Sequence, residues 1–334
     1  MKIHLINYKP IIPILKSINK TAFFLTILLL YASSFLNAMA NQIDVGEPIS
    51  DLFVTKNIIT IATLKGSIQQ IDLKTGKRIL SHKFEKITDF RGDLIDAEVF
   101  HIEPYGDTII ALVHGLQGKN DVYFIYQSEI RKIVKGSDFN SIIIDIQTIK
   151  NKSLILGFLS HELMSIDLES HSSIFSKQIS PYIFSCFATN DKQDMLVSSG
   201  ESGIIYLIEP QSGKIVKSIS GLHKDNVLSI SLGQKLIISG GKDRRITFYN
   251  LISKKSWFFR NDHFVTLVNQ SKDSKYTTWY NDLTNTIYIY NIDAKVITRK
   301  YNGHSAMVTK IEFIEDHRII SCDEKGIIHI WSLK

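Results

Sequence analysis

The stretch GHSAMVTKIEFIEDHRIISCDEKGIIHIWSLK, residues 303–334, decides how the rest of the chain is interpreted. It contains three short runs of apolar and β-branched residues, from Val308 to Ile314, from Arg318 to Ser321 and from Ile327 to Trp331. Polar residues separate these runs, including a turn at Asp323-Glu324-Lys325-Gly326. This pattern predicts three antiparallel strands joined by tight turns.

Gly303-His304 near the start of this stretch and Trp331 near its end resemble a WD40 repeat, the four-stranded blade of a β-propeller. A blade of three strands would leave an unpaired sheet edge, so a fourth strand is expected from another part of the chain. Residues 42 to 49 carry Ile43, Val45 and Ile49 in a short alternating pattern. We therefore predict that this segment supplies the outer strand of the last blade.

The same succession of short strands recurs about every 40 residues along the chain. Without a leader of forty residues, 294 residues remain, which gives 42 for each of seven repeats. No run of ten residues after the leader shows the periodicity of an amphipathic helix. The sequence thus predicts one all-β domain over residues 41–334, a seven-bladed WD40-like β-propeller that is closed by its N-terminal strand.

Residues 1–40 have the three parts of a secretory signal peptide. Four lysines and no acidic residue lie in the first twenty positions, an apolar run extends from Thr21 to Leu36, and Ala38-Met39-Ala40 forms a cleavage site. An uncleaved membrane anchor is the alternative, although the apolar run is shorter than the roughly 20 residues that a spanning helix needs. We expect cleavage and a periplasmic location.

Composition argues against several classes of function. The formal charge of +6 falls to about +2 without the four leader lysines, so a nucleic acid partner is not expected. The two cysteines, Cys186 and Cys322, fall in different repeats, and we predict that both are buried and unpaired. Motifs for a zinc site, a haem, a catalytic serine or a P-loop are missing. We therefore expect no cofactor, no metal and no catalysis.

Some residues resemble the buried hydrogen-bonded set of WD40 blades, which consists of His, Ser, Asp and Trp. The resemblance implies structural roles in the fifth and seventh blades, with Tyr249 at the Trp position of the fifth and Lys325 at the Asp position of the seventh. The predicted structural residues are His223, Ser239, Asp243, Tyr249, His304, Ser321 and Trp331.

Two turns, Asp72 to Lys77 and Glu209 to Lys214, are similar to the D-x-x-T-G-K turns of quinoprotein-type propellers and of scaffold propellers in the bacterial envelope. The tryptophan that normally follows such a turn is missing from both. We interpret both turns as hairpin loops in which glycine adopts a positive φ. An envelope scaffold for outer-membrane protein assembly and a quinoprotein-like enzyme that uses the central channel remain as alternatives.

Partner binding is predicted on the face formed by the loops between blades and by the second-to-third strand loops. Two loops there, Asp89 to Asp96 and His114 to Asp121, are longer than a minimal blade requires, and exposed loops of this kind often carry recognition. The alternative is that both are merely solvated connections. The residues predicted to contact a protein partner are Phe90, Arg91, Asp93, His114, Lys119, His161 and Arg244.

The run Phe84 to Asp93, followed by Ala97-Glu98-Val99-Phe100, resembles the NapL-type accessory protein family of periplasmic nitrate reductase. This resemblance implies a non-catalytic role beside a periplasmic reductase, without a molybdenum cofactor or iron-sulfur cluster in this chain. Reductase subunits are accordingly the expected protein partners, and the membrane is involved only if the leader remains attached.

Overall fold

The computed structural model describes residues 42–315 and 317–333, with the side chain of Glu315 left out. A compact unit begins at Ile43. The predicted signal peptide, residues 1–40, lies outside the described residues. Within the described ranges no helix is long and apolar enough to cross a membrane.

The described chain forms seven four-stranded sheets and one small hairpin. The first strand in the sequence is β1 (Gln42–Asp44). Blade 1 is built from β2 (Ile49–Thr55), β3 (Ile58–Thr63), β4 (Ser67–Asp72) and β5 (Arg78–Lys83). The small hairpin follows as β6 (Ile87–Thr88) and β7 (Leu94–Ile95).

Blades 2 to 4 follow the same order from the centre outward. The strands of blade 2 are β8 (Val99–Tyr105), β9 (Thr108–His114), β10 (Asn120–Tyr126) and β11 (Glu129–Val134), with single 3-10 turns at Leu116–Gly118 before β10 and at Gly136–Asp138 after β11. Those of blade 3 are β12 (Ile143–Ile149), β13 (Ser153–Phe158), β14 (Glu162–Asp167) and β15 (Ser173–Gln178). Those of blade 4 are β16 (Phe184–Thr189), β17 (Leu196–Gly200), β18 (Ile205–Glu209) and β19 (Lys214–Ile219).

Blades 5 to 7 complete the ring. Blade 5 contains β20 (Val227–Leu232), β21 (Leu236–Gly241), β22 (Arg245–Asn250) and β23 (Ser256–Arg260). Blade 6 contains β24 (Val268–Gln270), β25 (Tyr276–Asn281), β26 (Thr286–Asn291) and β27 (Val296–Asn302). Blade 7 contains β28 (Val308–Glu315), β29 (Arg318–Asp323) and β30 (Ile327–Ser332), and β1 is its fourth strand, paired with β30.

The innermost strands show that the ring is closed. Each of β2, β8, β12, β16, β20, β24 and β28 contacts the next in that order, and β28 contacts β2. The fold is therefore a seven-bladed β-propeller, as predicted, and the N-terminal strand completes its last blade.

The hydrophobic core lies between neighbouring blades and not at the centre of the ring. The described residues form seven apolar clusters, one at each interface between blades. Middle strands are covered on both faces, so β13 is buried at every residue, whereas the outer strand β5 alternates between exposed and half-buried positions. This gradient explains why middle strands are continuously apolar and outer strands are not.

The seam between blades 7 and 1 is held by backbone and side-chain contacts. The Val45 N–H donates to the Gly326 carbonyl at 2.8 Å, and Ile43, Val45 and Ile49 join the cluster that includes Ile328. Gly326 has a φ of +85°, and a Cβ there would lie 2.5 Å from the Glu47 carbonyl oxygen. Glycine is thus required where the last turn meets the chain that leaves β1.

The predicted closing strand, residues 42 to 49, is longer than the strand in the structure. Only Gln42–Asp44 pair as the outer strand of blade 7, and Ile49 begins the innermost strand of blade 1. Gly46, with a φ of +78°, and the following residues to Pro48 redirect the chain between the two sheets. The alternating pattern of Ile43, Val45 and Ile49 therefore spans two strands in different blades.

The two glycine turns have the predicted hairpin form. Gly76 and Gly213 have φ values of +66° and +67°, and each connects the third strand of its blade to the outer strand. In the first turn, Asp72 Oδ1 accepts the Thr75 N–H at 2.7 Å. The aspartate and the glycine therefore serve the turn itself.

Replacement of Val45 by aspartate tests closure of the ring. Val45 is buried at the seam, so Val45→Asp places an unpaired charge there and should lower the free energy of unfolding by about 3 kcal/mol or more. The same change at Ile79, which is 55% exposed on β5, should cost less than about 1 kcal/mol. Urea unfolding measures both, and equal losses would contradict closure by this segment.

Candidate functional site

Blade 7 contains a complete buried hydrogen-bonded set. His304 Nδ1 lies 2.8 Å from Asp323 Oδ2, and His304 Nε2 lies 2.7 Å from Ser321 Oγ. The Trp331 Nε1–H donates to the same Ser321 oxygen at 2.8 Å. Burial lowers the pKa of His304 below its ordinary value, which favours a neutral ring with one donor and one acceptor nitrogen.

The assignment of Lys325 to the Asp position of this set was wrong. Asp323, two residues earlier, contacts His304, whereas the Lys325 ammonium reaches the Ser305 hydroxyl at 3.3 Å. Asp323 Oδ1 also accepts the N–H groups of Lys325 and Ile327, both at 3.0 Å. In blade 5 the aspartate, Asp243, lies four residues after Ser239, and the same spacing from Ser321 in blade 7 leads to Lys325. The aspartate of blade 7 lies only two residues after Ser321, at an earlier point of the turn.

Blade 5 forms the corresponding set with one substitution. His223 bridges Asp243 Oδ1 at 3.0 Å and Ser239 Oγ at 2.8 Å. Thr247, with its hydroxyl 2.6 Å from Ser239 Oγ, completes the network. Tyr249 stands at the Trp position but is not bonded to Ser239; its hydroxyl instead accepts a hydrogen bond from the Lys217 ammonium at 2.7 Å.

Two further histidines take part in structural contacts that the sequence did not reveal. His263 Nδ1 lies 2.8 Å from Asp282 in blade 6, a partial version of the same set. His161 is completely buried, and its Nε2 lies 2.8 Å from Ser198 Oγ of blade 4. Burial lowers the pKa of His161 to about 4. The prediction that His161 is displayed for a partner was therefore wrong, because it joins blades 3 and 4.

The β6–β7 hairpin projects between blades 1 and 2 and carries three of the predicted contact residues. Phe90 is 85% exposed at its tip, and Arg91 and Asp93 are exposed beside it. The Arg91 guanidinium lies over the Phe90 ring at 5.1 Å. Asp89 Oδ1 accepts the N–H groups of Arg91 and Asp93 at 2.8 and 2.9 Å, so the tip has a defined turn.

The other predicted contact residues differ in how available they are. The Lys119 ammonium donates to the carbonyl oxygens of Phe139 and Asn140 at 3.1 and 2.9 Å, which connects the blade 2 loop to the link between blades 2 and 3. His114 is half-buried, with its ring 5.8 Å from Phe100. Arg244 is exposed at a turn with a φ of 65°. Partner contact by these residues stays a prediction.

Exposed apolar side chains are frequent in the loops of one face of the ring. We call this the upper face; it contains the links between blades and the loops between second and third strands. Its exposed large apolar residues are Phe90, Leu94, Leu116, Leu159, Tyr182, Ile183, Phe264, Leu283 and Met307. Phe90 is the most exposed of these side chains, at 85%.

A register shift that recurs in the innermost strands places polar residues in the wall of the central channel. The pairing register shifts at the same point near the start of six of these strands, and the residue after each shift lines the channel. Blade 6, where β24 is short, is the exception. The six residues are Asp51, His101, Asp145, Cys186, Ser229 and Lys310.

Four of these six residues form a chain of alternating charge through blades 7, 1, 2 and 3. Lys310 Nζ lies 2.8 Å from Asp51 Oδ1, and His101 Nδ1 lies 2.8 Å from Asp51 Oδ2. On the far side of the histidine, His101 Nε2 lies 3.7 Å from Asp145 Oδ1. We call this chain, together with Glu103 and Glu312 beside it, the channel network.

Burial and neighbouring charges shift the protonation of the channel network. Burial alone would raise the pKa of Asp51, but His101 and Lys310 outweigh it and hold this pKa well below its ordinary value. Burial would lower the pKa of His101, yet the Asp51 and Asp145 carboxylates raise it well above the ordinary value. Burial raises the pKa of Asp145 to about 6 and that of Glu312 to about 7, although the nearby cations His101 and Lys310 act to lower both pKa values.

The remaining wall of the channel is uncharged. Cys186 and Ser229 take the corresponding positions in blades 4 and 5. Both cysteines are buried and free, as predicted, and burial raises the pKa of the Cys322 thiol to about 12. Among the described residues no group of three or more His, Cys, Asp or Glu is arranged to hold a metal ion.

Sequence reasoning missed the channel network. The visible signal was a polar residue near the start of several first strands, in runs such as Ile49-Ser50-Asp51 and Val99-Phe100-His101. Strict alternation does not assign these residues to the channel, because the register shift that turns each of them inward is a feature of the backbone.

The fold is a seven-bladed β-propeller, and the buried sets of blades 5 and 7 are similar to those of WD40 repeats. Residues 295–332 match the family model described as WD domain, G-beta repeat. The chain is also 30% identical, over 141 residues, to a Gallus gallus protein described as p21-activated protein kinase-interacting protein 1-like. That match covers 41% of this chain and 37% of the chicken protein. WD40 propellers are typically scaffolds that bind other proteins.

Alanine substitutions in the last turn distinguish Asp323 from Lys325. Asp323→Ala removes the acceptor of His304 and of two backbone N–H groups, so we expect the free energy of unfolding to fall by about 2 to 4 kcal/mol. Lys325→Ala should change it by less than about 0.5 kcal/mol. Chemical denaturation measures both, and the reverse order would restore Lys325 to the structural set.

Stability should decrease as the pH rises from about 6.5 to about 8. In this range the folded protein holds protons on Glu312 and His101 that the unfolded chain releases, so rising pH favours unfolding, by on the order of 2 kcal/mol. Below about pH 6.5 the lowered pKa values of His161, His304 and His329 act in the opposite direction and offset the raised pKa of Asp145.

Paired variants test this pH dependence in urea unfolding. Asp145→Asn and Glu312→Gln imitate the protonated side chains and should flatten the profile, whereas Glu129→Gln on the exposed part of β11 should preserve it. A wild-type profile that rises with pH over this range would contradict the assignment.

Proposed function

We propose that this chain is a non-catalytic scaffold that docks a protein partner on its upper face. The observation that carries the proposal is the 85% exposure of Phe90 at the tip of an ordered hairpin. A large aromatic side chain held in water gains most when a partner covers it, and aromatic and arginine side chains dominate binding energy at interfaces. Arg91 lies beside this anchor.

The base of the hairpin fixes the position of the tip. Phe84 and Ile87 pack against the cluster between blades 1 and 2, and the Phe84 ring contacts Tyr123 with a centroid distance of 5.1 Å. Asp96 lies 3.5 Å from the Lys65 ammonium and 3.9 Å from that of Lys86. A preorganised loop loses less conformational entropy on binding than a mobile one.

The comparisons support the same class of function. The matched chicken protein is described as interacting with a kinase, and the matched family model is that of the WD domain, G-beta repeat. Since the match covers 37% of that protein, its partner is not transferred to this chain. Protein binding in general is the part that we carry over.

We further propose that the chain is exported and assists a periplasmic reductase, with nitrate reductase as the first candidate. The segment that resembles the NapL-type accessory family, Phe84 to Asp93, is also the segment that forms the exposed hairpin. A recognition motif needs that accessibility. In this proposal the leader is removed and the upper face contacts a reductase subunit.

Affinity purification from the periplasmic fraction of a nitrate-respiring bacterium tests both parts. The full chain with a C-terminal tag should appear there without residues 1–40 and should retain reductase subunits. Phe90→Ala together with Arg91→Ala should reduce recovery about tenfold or more, because two central contacts are lost. The control is Ile252→Ala, which removes a 72% exposed side chain from a loop of the opposite face.

Three outcomes of this experiment would contradict three different parts of the proposal. Recovery that is unchanged by the hairpin variant would contradict the upper-face site, recovery of other proteins alone would contradict the reductase, and an uncleaved chain outside the periplasm would contradict export.

A further inference from the structure

The outer strand of blade 5, β23, differs in its pairing from the other outer strands of the ring. In blades 1, 2, 3, 4 and 6 the pairing register shifts between the outer strand and the strand next to it. In blade 5 the pairs from Arg245 with Arg260 to Tyr249 with Ser256 follow one another without a shift. Bulges twist an exposed sheet edge away from other chains, and β23 lacks that protection.

The composition of β23 also leaves its edge open. Its sequence, Ser-Trp-Phe-Phe-Arg, has a single charge, which is at the terminal Arg260. The outer strands of blades 2, 3, 4 and 6 carry lysine or arginine at interior positions. Such charges discourage pairing with another chain. β23 is therefore the outer strand of these blades that is best suited to accept an added strand.

The free edge of β23 presents backbone groups at every second residue. Just before the strand, the Lys255 carbonyl accepts a hydrogen bond from Asn250 at 2.9 Å, and just after it the Asn261 N–H donates to Arg244 at 2.8 Å. Because hydrogen-bonded and non-bonded pairs alternate along an antiparallel ladder, the odd-numbered residues of β23 bond inward to β22. The residues whose N–H and carbonyl groups point to the free edge are Ser256, Phe258 and Arg260.

A cavity of about 410 Å³ adjoins this edge beside the link from blade 4. Its lining includes Arg245 and Thr247 of β22, Ser256 and Phe258 of β23, and Leu222 of the link. Side chains of a strand point alternately to its two faces, so every second side chain of an added strand would face this cavity. A row of free backbone groups beside a side-chain pocket is the arrangement that recognises extended peptides by strand addition.

Arg245 gives the cavity a positive charge. This residue is only 9% exposed, and its guanidinium lies 4.4 Å from the centre of the Phe258 ring. Its Nη1 donates to the Leu222 carbonyl at 2.9 Å. Its Nε lies 3.5 Å from Asp243 Oδ2 and makes no hydrogen bond within the described chain. Since Asp243 also contacts His223 at 3.0 Å, it compensates the guanidinium only in part.

The surroundings of the edge add positive charge and no negative charge. Lys254 and Lys255 precede β23, Arg260 ends it, and the segment from Leu251 to Arg260 contains no acidic residue. The outer strand of blade 4, β19, carries two lysines and likewise no acidic residue. An extended segment with acidic side chains complements this charge.

We propose that β23 accepts an extended acidic segment of a protein partner as a fifth strand of blade 5, with an aspartate or glutamate of that segment bound to Arg245. The carboxylate supplies an acceptor for the buried guanidinium, and charge-assisted hydrogen bonds of this type are stronger than neutral ones. This site lies on the outer edge of blade 5, whereas the docking hairpin lies between blades 1 and 2. Either site can therefore bind, or fail to bind, without the other.

Fluorescence anisotropy with a labelled, capped heptapeptide of alternating glutamate and valine tests the proposal on the purified protein. We expect saturable binding. Ser256→Pro removes one outward N–H and keeps the bonds to β22, so it should weaken binding about tenfold or more, equivalent to about 1.4 kcal/mol. Ser256→Ala is the matched control and should bind as the wild type does. Arg245→Gln should also weaken binding about tenfold, because the charge is lost.

Changes in the peptide test charge and backbone pairing separately. A peptide with lysine in place of glutamate should not bind, and equal binding of this peptide would overturn recognition by charge. Two further peptides carry N-methyl groups on the glutamate amides or on the valine amides. An added strand uses only one of these sets of N–H groups, so one peptide should lose binding and the other should keep it. Equal affinities of the two methylated peptides would overturn strand addition.

Sedimentation velocity distinguishes a partner segment from a second copy of this chain. We expect the wild type to sediment as a monomer. A dimer that Ser256→Pro abolishes would show that β23 pairs with itself, and would overturn the acidic segment as its occupant. The proposal also fails if the glutamate peptide does not bind, or if Ser256→Pro and Arg245→Gln, shown to be folded by circular dichroism, bind it as the wild type does.

Discussion

Ring closure is the constraint on which the rest of the structure depends. Each blade buries its apolar surface only against its two neighbours, so one open seam would expose two sheet faces at once. The chain closes this seam twice. At the rim, β1 pairs with β30, and at the channel, Lys310 of blade 7 contacts Asp51 of blade 1 at 2.8 Å. Hydrogen bonds and an ion pair thus act at opposite ends of the same interface.

Closure also determines where function can arise. A ring of this kind uses its apolar residues between blades, which leaves the loops of the upper face and the wall of the channel free to vary. On the upper face, the β6–β7 hairpin is such a loop, and it presents Phe90. In the channel wall, the channel network holds its charged residues inside a cavity that the ring creates. The two features lie on the same propeller but are separate, one on the upper face and the other in the channel.

Much of the fold could be predicted from the sequence, because strand periodicity and turn residues are local signals. The strands of blades 3 to 6 and the closing role of the N-terminal segment followed from such signals. The errors arose where tertiary geometry decides. His161 is buried by a neighbouring blade, Asp323 replaces Lys325 through a different turn, and the channel network depends on register shifts. Exposure, turn geometry and register are properties of the folded ring that residue spacing does not determine.

Hydrogen exchange at single-residue resolution tests closure of the ring most directly. In a ring closed by β1, the amides of β30 and those of β2 belong to one cooperative unit, although they lie at opposite ends of the domain sequence. We predict that both strands exchange through openings of the same free energy, close to that of global unfolding. Exchange of β30 at a free energy several kcal/mol below that of the strands in blades 2 to 6 would show that blade 7 opens by itself, and would contradict a ring closed by its N-terminal strand.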